Sequence, residues 1–186
     1  MPYKNAKILT ILSVILFSAV ALVSFFLQTT YMNVVLPLFI FYIILIINSY
    51  FSILLFLQII PRHMVSQKII DTLIIILYLT LGLTFALPLF FAFLLTLIFI
   101  LCVVKYTLLL NVVTNQPHLL KRKIVIDALG GIMGLLMLGG VILGYPIESS
   151  WALVVIFVIA NIHLFFISPL YISDVPLKGS STAQNL

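Results

Sequence analysis

The sequence predicts an all-α polytopic membrane protein, with six transmembrane helices arranged as three consecutive helical hairpins. Three observations carry this. Hydrophobic residues make up 65% of the chain and charged residues 7%, whereas a soluble domain is nearer half apolar and a quarter charged. The apolar stretches reach span length without the alternation of strands, and in lipid a backbone that must satisfy its own hydrogen bonds forms helices. Lys and Arg, finally, gather in alternate connections between those stretches, the asymmetry that orients helices across a bilayer.

The first span is expected over roughly residues 8–27, after Lys4 and Lys7. Its "SAVALVS" contains Ala19-Val20-Ala21, which a signal peptidase accepts, but apolar residues continue through Leu27. A full span is present, so an uncleaved first helix is expected. The second span covers about 34–60 and ends at Pro61-Arg62; the fifth covers about 124–144 and the sixth 151–171.

The third and fourth spans need an argument. Between Asp71 and Lys105 lie 33 uncharged residues, with Pro88 near their middle. As one helix they would run about 50 Å against a hydrocarbon core of about 30 Å. Two helices of about sixteen residues are short but fit a slightly thinned bilayer. Charge decides between the two. With two helices, Lys4, Lys7, Arg62, Lys68, Lys105, Lys121, Arg122, Lys123 and Lys178 fall on one side, while "QTTYMN", the Pro88 turn and "GYPIESS" contain no Lys or Arg. The positive-inside rule then selects six spans with both termini cytoplasmic. The hairpins occupy about 8–60, 69–106 and 124–171 of a single transmembrane domain, 1–172. Residues 173–186 form a polar cytoplasmic tail.

The hairpins resemble one another. "KIIDTLIIILYLTLGLTFALPLFF" and "KIVIDALGGIMGLLMLGGVILGYPIESS" each carry a Lys, an Asp three or four residues later, an apolar helix with Gly, and Pro at the turn. The first hairpin matches more loosely. All begin on the same side, so the repeats are parallel. A repeat of the form G-x-x-apolar-G-apolar-P-turn-apolar-helix, as in "LGGIMGLLMLGGVILGYPIESSWALVVIFVIANIHLFFI" and "LGLTFALPLFFAFLLTLIFIL", resembles that of the HdeD family of small bacterial inner-membrane proteins. The resemblance extends over roughly residues 5–172. It implies a role in acid or envelope stress resistance and brings no catalytic residues with it.

Few polar groups interrupt the spans. Lys68 and Asp71 are three apart, Lys123 and Asp127 four apart, so each can pair on a helix face near a positive helix start. The alternative for these carboxylates is proton or ion binding. Asn48, Asn161 and His163 fall inside spans and should face other helices. Interhelical hydrogen bonding is the plainer reading; proton sensing by His163 is the sharper one, because histidine titrates nearest neutrality. Lys105, beside Tyr106, can snorkel to the interface.

Gly130, Gly134, Gly140 and Gly144 share one face of the fifth helix, as a close-packing surface would. A neighbouring helix of the bundle is the expected partner, a second copy the alternative.

No cofactor, metal or nucleophile motif is present, and the basic residues read as topology signals rather than a nucleic-acid surface. The bilayer is the expected partner. The expected function is non-enzymatic and of HdeD type. A small transporter or channel for protons, ions or small solutes is the alternative, and requires Asn48, Asn161, His163 and Tyr78 to converge. An intramembrane enzyme is disfavoured, since no set of acid, base and nucleophile is visible.

Overall fold

Pro88 begins a helix. The computed structural model describes residues 3–56, 65–113 and 117–167, and in it the stretch from Asp71 to Lys105 folds back as α3 (Val65–Leu83) and α4 (Pro88–Leu110). Proline suits a first helical turn, where its missing N–H has no partner to lose. In the turn itself, Leu87 N donates to Thr84 O at 2.9 Å, and the Thr84 hydroxyl donates to Leu81 O at 2.9 Å. Gln28, just past the end of α1 (Tyr3–Leu27), holds the turn from outside. Its Nε2 donates to Leu83 O at 2.9 Å and its Oε1 accepts from Ala86 N at 2.6 Å. Two backbone groups of the turn are thus paired by a side chain 55 and 58 residues away in sequence.

The third hairpin repeats the design. α5 (Pro117–Ile142) and α6 (Pro146–Ile162) are joined by a turn in which Gly144 has φ +91°. Tyr145 N donates back to Gly140 O and Gly144 N to Val141 O, the paired bonds that close a helix through a left-handed glycine. α6 continues as a wider π turn, His163–Ile167. The first hairpin differs. A short 3-10 turn, Thr29–Tyr31, leads into α2 (Met32–Phe56), and its proline, Pro37, lies inside the helix.

Among the described residues six helices form, joined as three hairpins, and several begin ahead of the expected spans: α3 at Val65, α5 at Pro117 and α6 at Pro146, against 69, 124 and 151. The earlier start of α5 has a packing cause: Leu119 and Leu120 are buried against Tyr106, Leu109 and Val113. Arg62, His63, the expected end of the second span near 60, and the tail 173–186 lie outside the described residues.

The helices close into a ring. α1 packs on α2 and α3, α3 on α4, α4 on α5, α5 on α6, and α6 on α2. Aromatic rings fill the middle: Phe41 lies 4.5 Å from Phe157 and 6.1 Å from Phe91, while Phe85 contacts both Phe91 and Tyr42. These tilted and edge-on geometries are the favoured ones for ring pairs. A second apolar cluster, including Leu55, Phe56, Leu109, Leu120 and Leu164, closes the end of the bundle where α3 and α5 begin. The outside is apolar as well, with Leu22, Val23, Ile76, Leu136 and Ile159 among its exposed side chains. Among the described residues, five helices (α1, α2, α4, α5 and α6) are long and apolar enough to cross a membrane.

Candidate functional site

Between the aromatic centre and the second apolar cluster lies a polar layer. The inward stripe of α5 explains half of it. Leu120, Lys123, Asp127, Gly130, Gly134 and Met137 are all buried, and their steps of three and four residues keep them on one face. The glycine surface therefore continues downward as a lysine and an aspartate. Lys123 Nζ donates to Asp127 Oδ1 at 2.5 Å, with side chains only 7% and 1% exposed. Asp127 sits ten residues beyond Pro117, about 15 Å along the helix at 1.5 Å per residue. The expected pair forms, yet it is a deep interior pair rather than one at a helix start.

α4 supplies the facing groups. Phe91, Leu95, Ile98, Tyr106 and Leu109 form its buried stripe, which carries Cys102 and Lys105 along its flank. Lys105 Nζ donates to Asp71 Oδ1 of α3 at 2.6 Å. Asp71 thus pairs across helices with Lys105, and not with Lys68 one turn earlier. Lys68 is exposed, and its carbonyl accepts from the Thr72 hydroxyl instead. Lys105 does not snorkel freely either; only 14% of its side chain is exposed, against 47% for Asp71.

Tyr106 joins the two pairs. The ammonium of Lys105 lies 5.5 Å from its ring centroid and that of Lys123 5.7 Å, within the range where a cation is attracted to a ring face. The Tyr106 hydroxyl is 3.4 Å from Ser52 Oγ of α2, and Ser49 Oγ is 2.5 Å from the Tyr78 hydroxyl of α3. Tyr78, Cys102 and Tyr106 all lie within electrostatic range of Lys123 and Asp127. Asp127 Oδ2 and Asn161 Oδ1 are buried and accept no hydrogen bond, and Gln67 Nε2 is buried and donates none. Buried polar atoms without partners are rare in proteins.

The other expected residues separate. Asn48 is buried at 6% exposure on α2. Asn161 is buried on α6, where its amide donates to Phe157 O one turn back, a bond within its own helix. His163 is exposed on the π turn and turns away from the interior. Two residues past buried Asn161, His163 lies on the opposite face of the helix, so a mid-span position in sequence did not place this ring inside. Of the polar set required for a path, Tyr78 joins the layer, Asn48 and Asn161 are buried on α2 and α6, and His163 is exposed.

The glycine face is packed within the chain. A Cβ at Gly130 would run into the Phe99 ring, one at Gly134 into Thr96, backbone included, and one at Gly140 into Ser149. Gly144 is corrected: a Cβ there would meet nothing within 4 Å, and the residue serves the turn through its positive φ rather than helix packing.

Reasoning from sequence missed the Lys105–Asp71 pair, Tyr106, Ser49 and Ser52. One signal was available: stepping back from Gly134 and Gly130 by three and four reaches Asp127 and Lys123 on the same face. The fold and this layer define an all-helical protein with several helices of membrane-span length and a charged interior. Comparison with protein-family models, with curated proteins and with solved structures finds no match to this chain.

Proposed function

We propose that this is a multi-pass bacterial inner-membrane protein of HdeD type, crossing the bilayer six times with both termini cytoplasmic. Its role in this reading is non-enzymatic support of resistance to acid or envelope stress. The observation that carries the reading is the Lys123–Asp127 pair on the inward face of α5. Burying two charges is costly even when they meet, and an apolar pair would stabilise a bundle as well or better. Ionisable groups inside a membrane bundle mark function by default, and this pair can answer a change in proton concentration.

The apolar outer shell supports the bilayer as the protein's partner. Lys68, Lys121 and Arg122 lie near the starts of α3 and α5, which supports a common cytoplasmic end.

The test is survival. A strain lacking this chain should lose viability after acid challenge, and the parent chain should restore it. Expression of Lys123→Met/Asp127→Leu, which removes both charges, should fail to restore it at equal abundance. Undiminished survival of the deletion strain would sink the stress reading. Reporter fusions after Leu87 and after Gln116 should lie on opposite sides of the membrane.

A second reading, a small transporter or channel for protons, ions or small solutes, is favoured by one observation. The polar groups of α2, α3, α4 and α5 meet in a single layer. Proteoliposomes that dissipate a pH or salt gradient only when the chain is present would favour it.

A further inference from the structure

We propose that the Lys123–Asp127 pair is a proton-binding site, in which Asp127 Oδ2 takes up a proton that enters the polar layer beside Asp71. The proposal rests on the acid-response reading and names its ligand and its atom.

The choice of ligand follows from what already occupies the site. Asp127 Oδ1 holds the Lys123 ammonium at 2.5 Å, so a cation is in place where a metal ion would sit. A second cation would be repelled by both Lys123 and Lys105, which act on this carboxylate together. An anion finds each ammonium engaged by a carboxylate. Apolar clusters pack above and below the layer, which disfavours a bulky polar solute. A proton needs no volume, and Oδ2 is the one oxygen of the pair that is buried and without a hydrogen-bond partner.

The route has a visible start. Of the four charged groups in the layer, Asp71 is the one that is nearly half exposed. Its partner Lys105 shares the Tyr106 ring with Lys123. A hydronium arriving at Asp71 gives up its proton, and an O–H bond finally forms at Asp127 Oδ2, leaving water outside. Lys123 keeps its ammonium, so the layer gains one positive charge, and release breaks the same O–H bond. The titratable and charged groups facing Asp127 are Lys123 on its own helix, Cys102, Lys105 and Tyr106 on α4, and Tyr78 on α3, with Asp71 behind Lys105. From α2, Ser49 and Ser52 reach Tyr78 and Tyr106, and the buried polar side chains of α6 are Ser150 and Asn161, none of which titrates.

The whole chain, reconstituted in phosphatidylcholine vesicles, can be examined by infrared difference spectroscopy between neutral and acidic buffer. Four acidic side chains make the assignment tractable. The parent should show the C=O stretch of a protonated carboxyl in an apolar setting, with slow exchange in heavy water. That band should survive Glu148→Gln, disappear in Asp127→Asn, and rise more slowly in Asp71→Asn. Asp127→Asn leaves Lys123 without its carboxylate, so Lys123→Met/Asp127→Leu is measured beside it, with helicity checked by circular dichroism. A band that persists in either Asp127 variant overturns the proposal, as does a parent whose protonated carboxyls all exchange as fast as water-exposed ones. An unaltered rise in Asp71→Asn overturns the entry route. Lost survival is a separate readout. An intact band in a chain that gives cells no acid protection would strike the stress reading alone.

Discussion

The second and third hairpins begin with the same motif, a lysine followed one turn later by an aspartate, and put it to opposite uses. In α5 the motif closes on itself: Lys123 bonds Asp127, and both are buried. In α3 the lysine stays exposed, and Asp71 reaches across to Lys105 of α4, 34 residues away, remaining nearly half open. Spacing does not decide it, since three residues align a Lys–Asp pair along a helix as well as four do. The cause is the neighbour. α5 lies tightly on α4 because glycines let the backbones approach, and its inward stripe is shut off. α3 meets α4 with a lysine already standing on the facing surface. A local motif proposes a pair, and the packing of the next helix decides whether it forms.

The largest way to break that contrast is to unpair the buried site. Lys123→Met leaves the Asp127 carboxylate alone in the interior, and losing one partner of a buried pair typically costs about 3–5 kcal/mol. Thermal unfolding in mild detergent should show a drop of that order. Lys123→Met/Asp127→Leu should recover most of it, because two apolar groups can replace a buried pair at little cost. A single variant that melts with the parent would show that Asp127, left alone, is reached by water or neutralised by a proton.

Next in size is the close approach that shuts the α5 stripe. Gly134→Leu drives a side chain into Thr96, whose backbone lies 3.2 Å from an added Cβ. Overpacking of this kind costs about 1–3 kcal/mol or more. Gly139→Leu, one turn on, meets open space and should leave the melting temperature nearly unchanged. The pair of variants separates packing from helix propensity, which changes alike in both.

Much of this was legible in the sequence, and the residues say why. Pro88 marked the fold-back between the third and fourth spans, but sequence alone puts both Pro88 and Pro146 in turns, whereas each occupies the first turn of a helix, where proline has no N–H partner to lose. Gly130 and Gly134 announced close packing because nothing in lipid but a small residue permits it. What could not be read was any partnership across the ring. Gln28 clamping the α3–α4 turn, Asp71 meeting Lys105, and Tyr106 serving two ammoniums join residues whose spacing carries no period. His163 was misplaced because the mid-span position was read without the helical period: two residues past buried Asn161, it falls on the opposite face of the helix.

A smaller effect is expected at the open pair. Lys105→Met frees Asp71, but 47% of that side chain already meets the surroundings, so the carboxylate is not stranded as Asp127 would be. Exposed ion pairs are worth about 0.2–1 kcal/mol. A shift within that range, clearly below that of Lys123→Met in the same detergent, keeps the two pairs distinct. Equal shifts would mean that Asp71 is as enclosed as its counterpart.

The smallest effect sharpens the comparison most. Lys68 stands where Lys123 stands in the third hairpin, one turn ahead of an aspartate, and the local motif alone would make the two equivalent. In the folded chain Asp71 Oδ1 is held at 2.6 Å by Lys105, while Lys68 is exposed. Replacing an exposed residue away from caps and pairs changes stability by less than about 0.5 kcal/mol. Lys68→Ala should therefore melt with the parent, and Lys68→Ala/Lys105→Met should melt with Lys105→Met alone, since additivity holds where no interaction is shared. If Lys68 instead takes over Asp71 when Lys105 is gone, the double variant will fall below the sum of the singles. Coupling of that sign would mean that α3 keeps its own closed pair in reserve, and that the two hairpins differ in occupancy rather than in design.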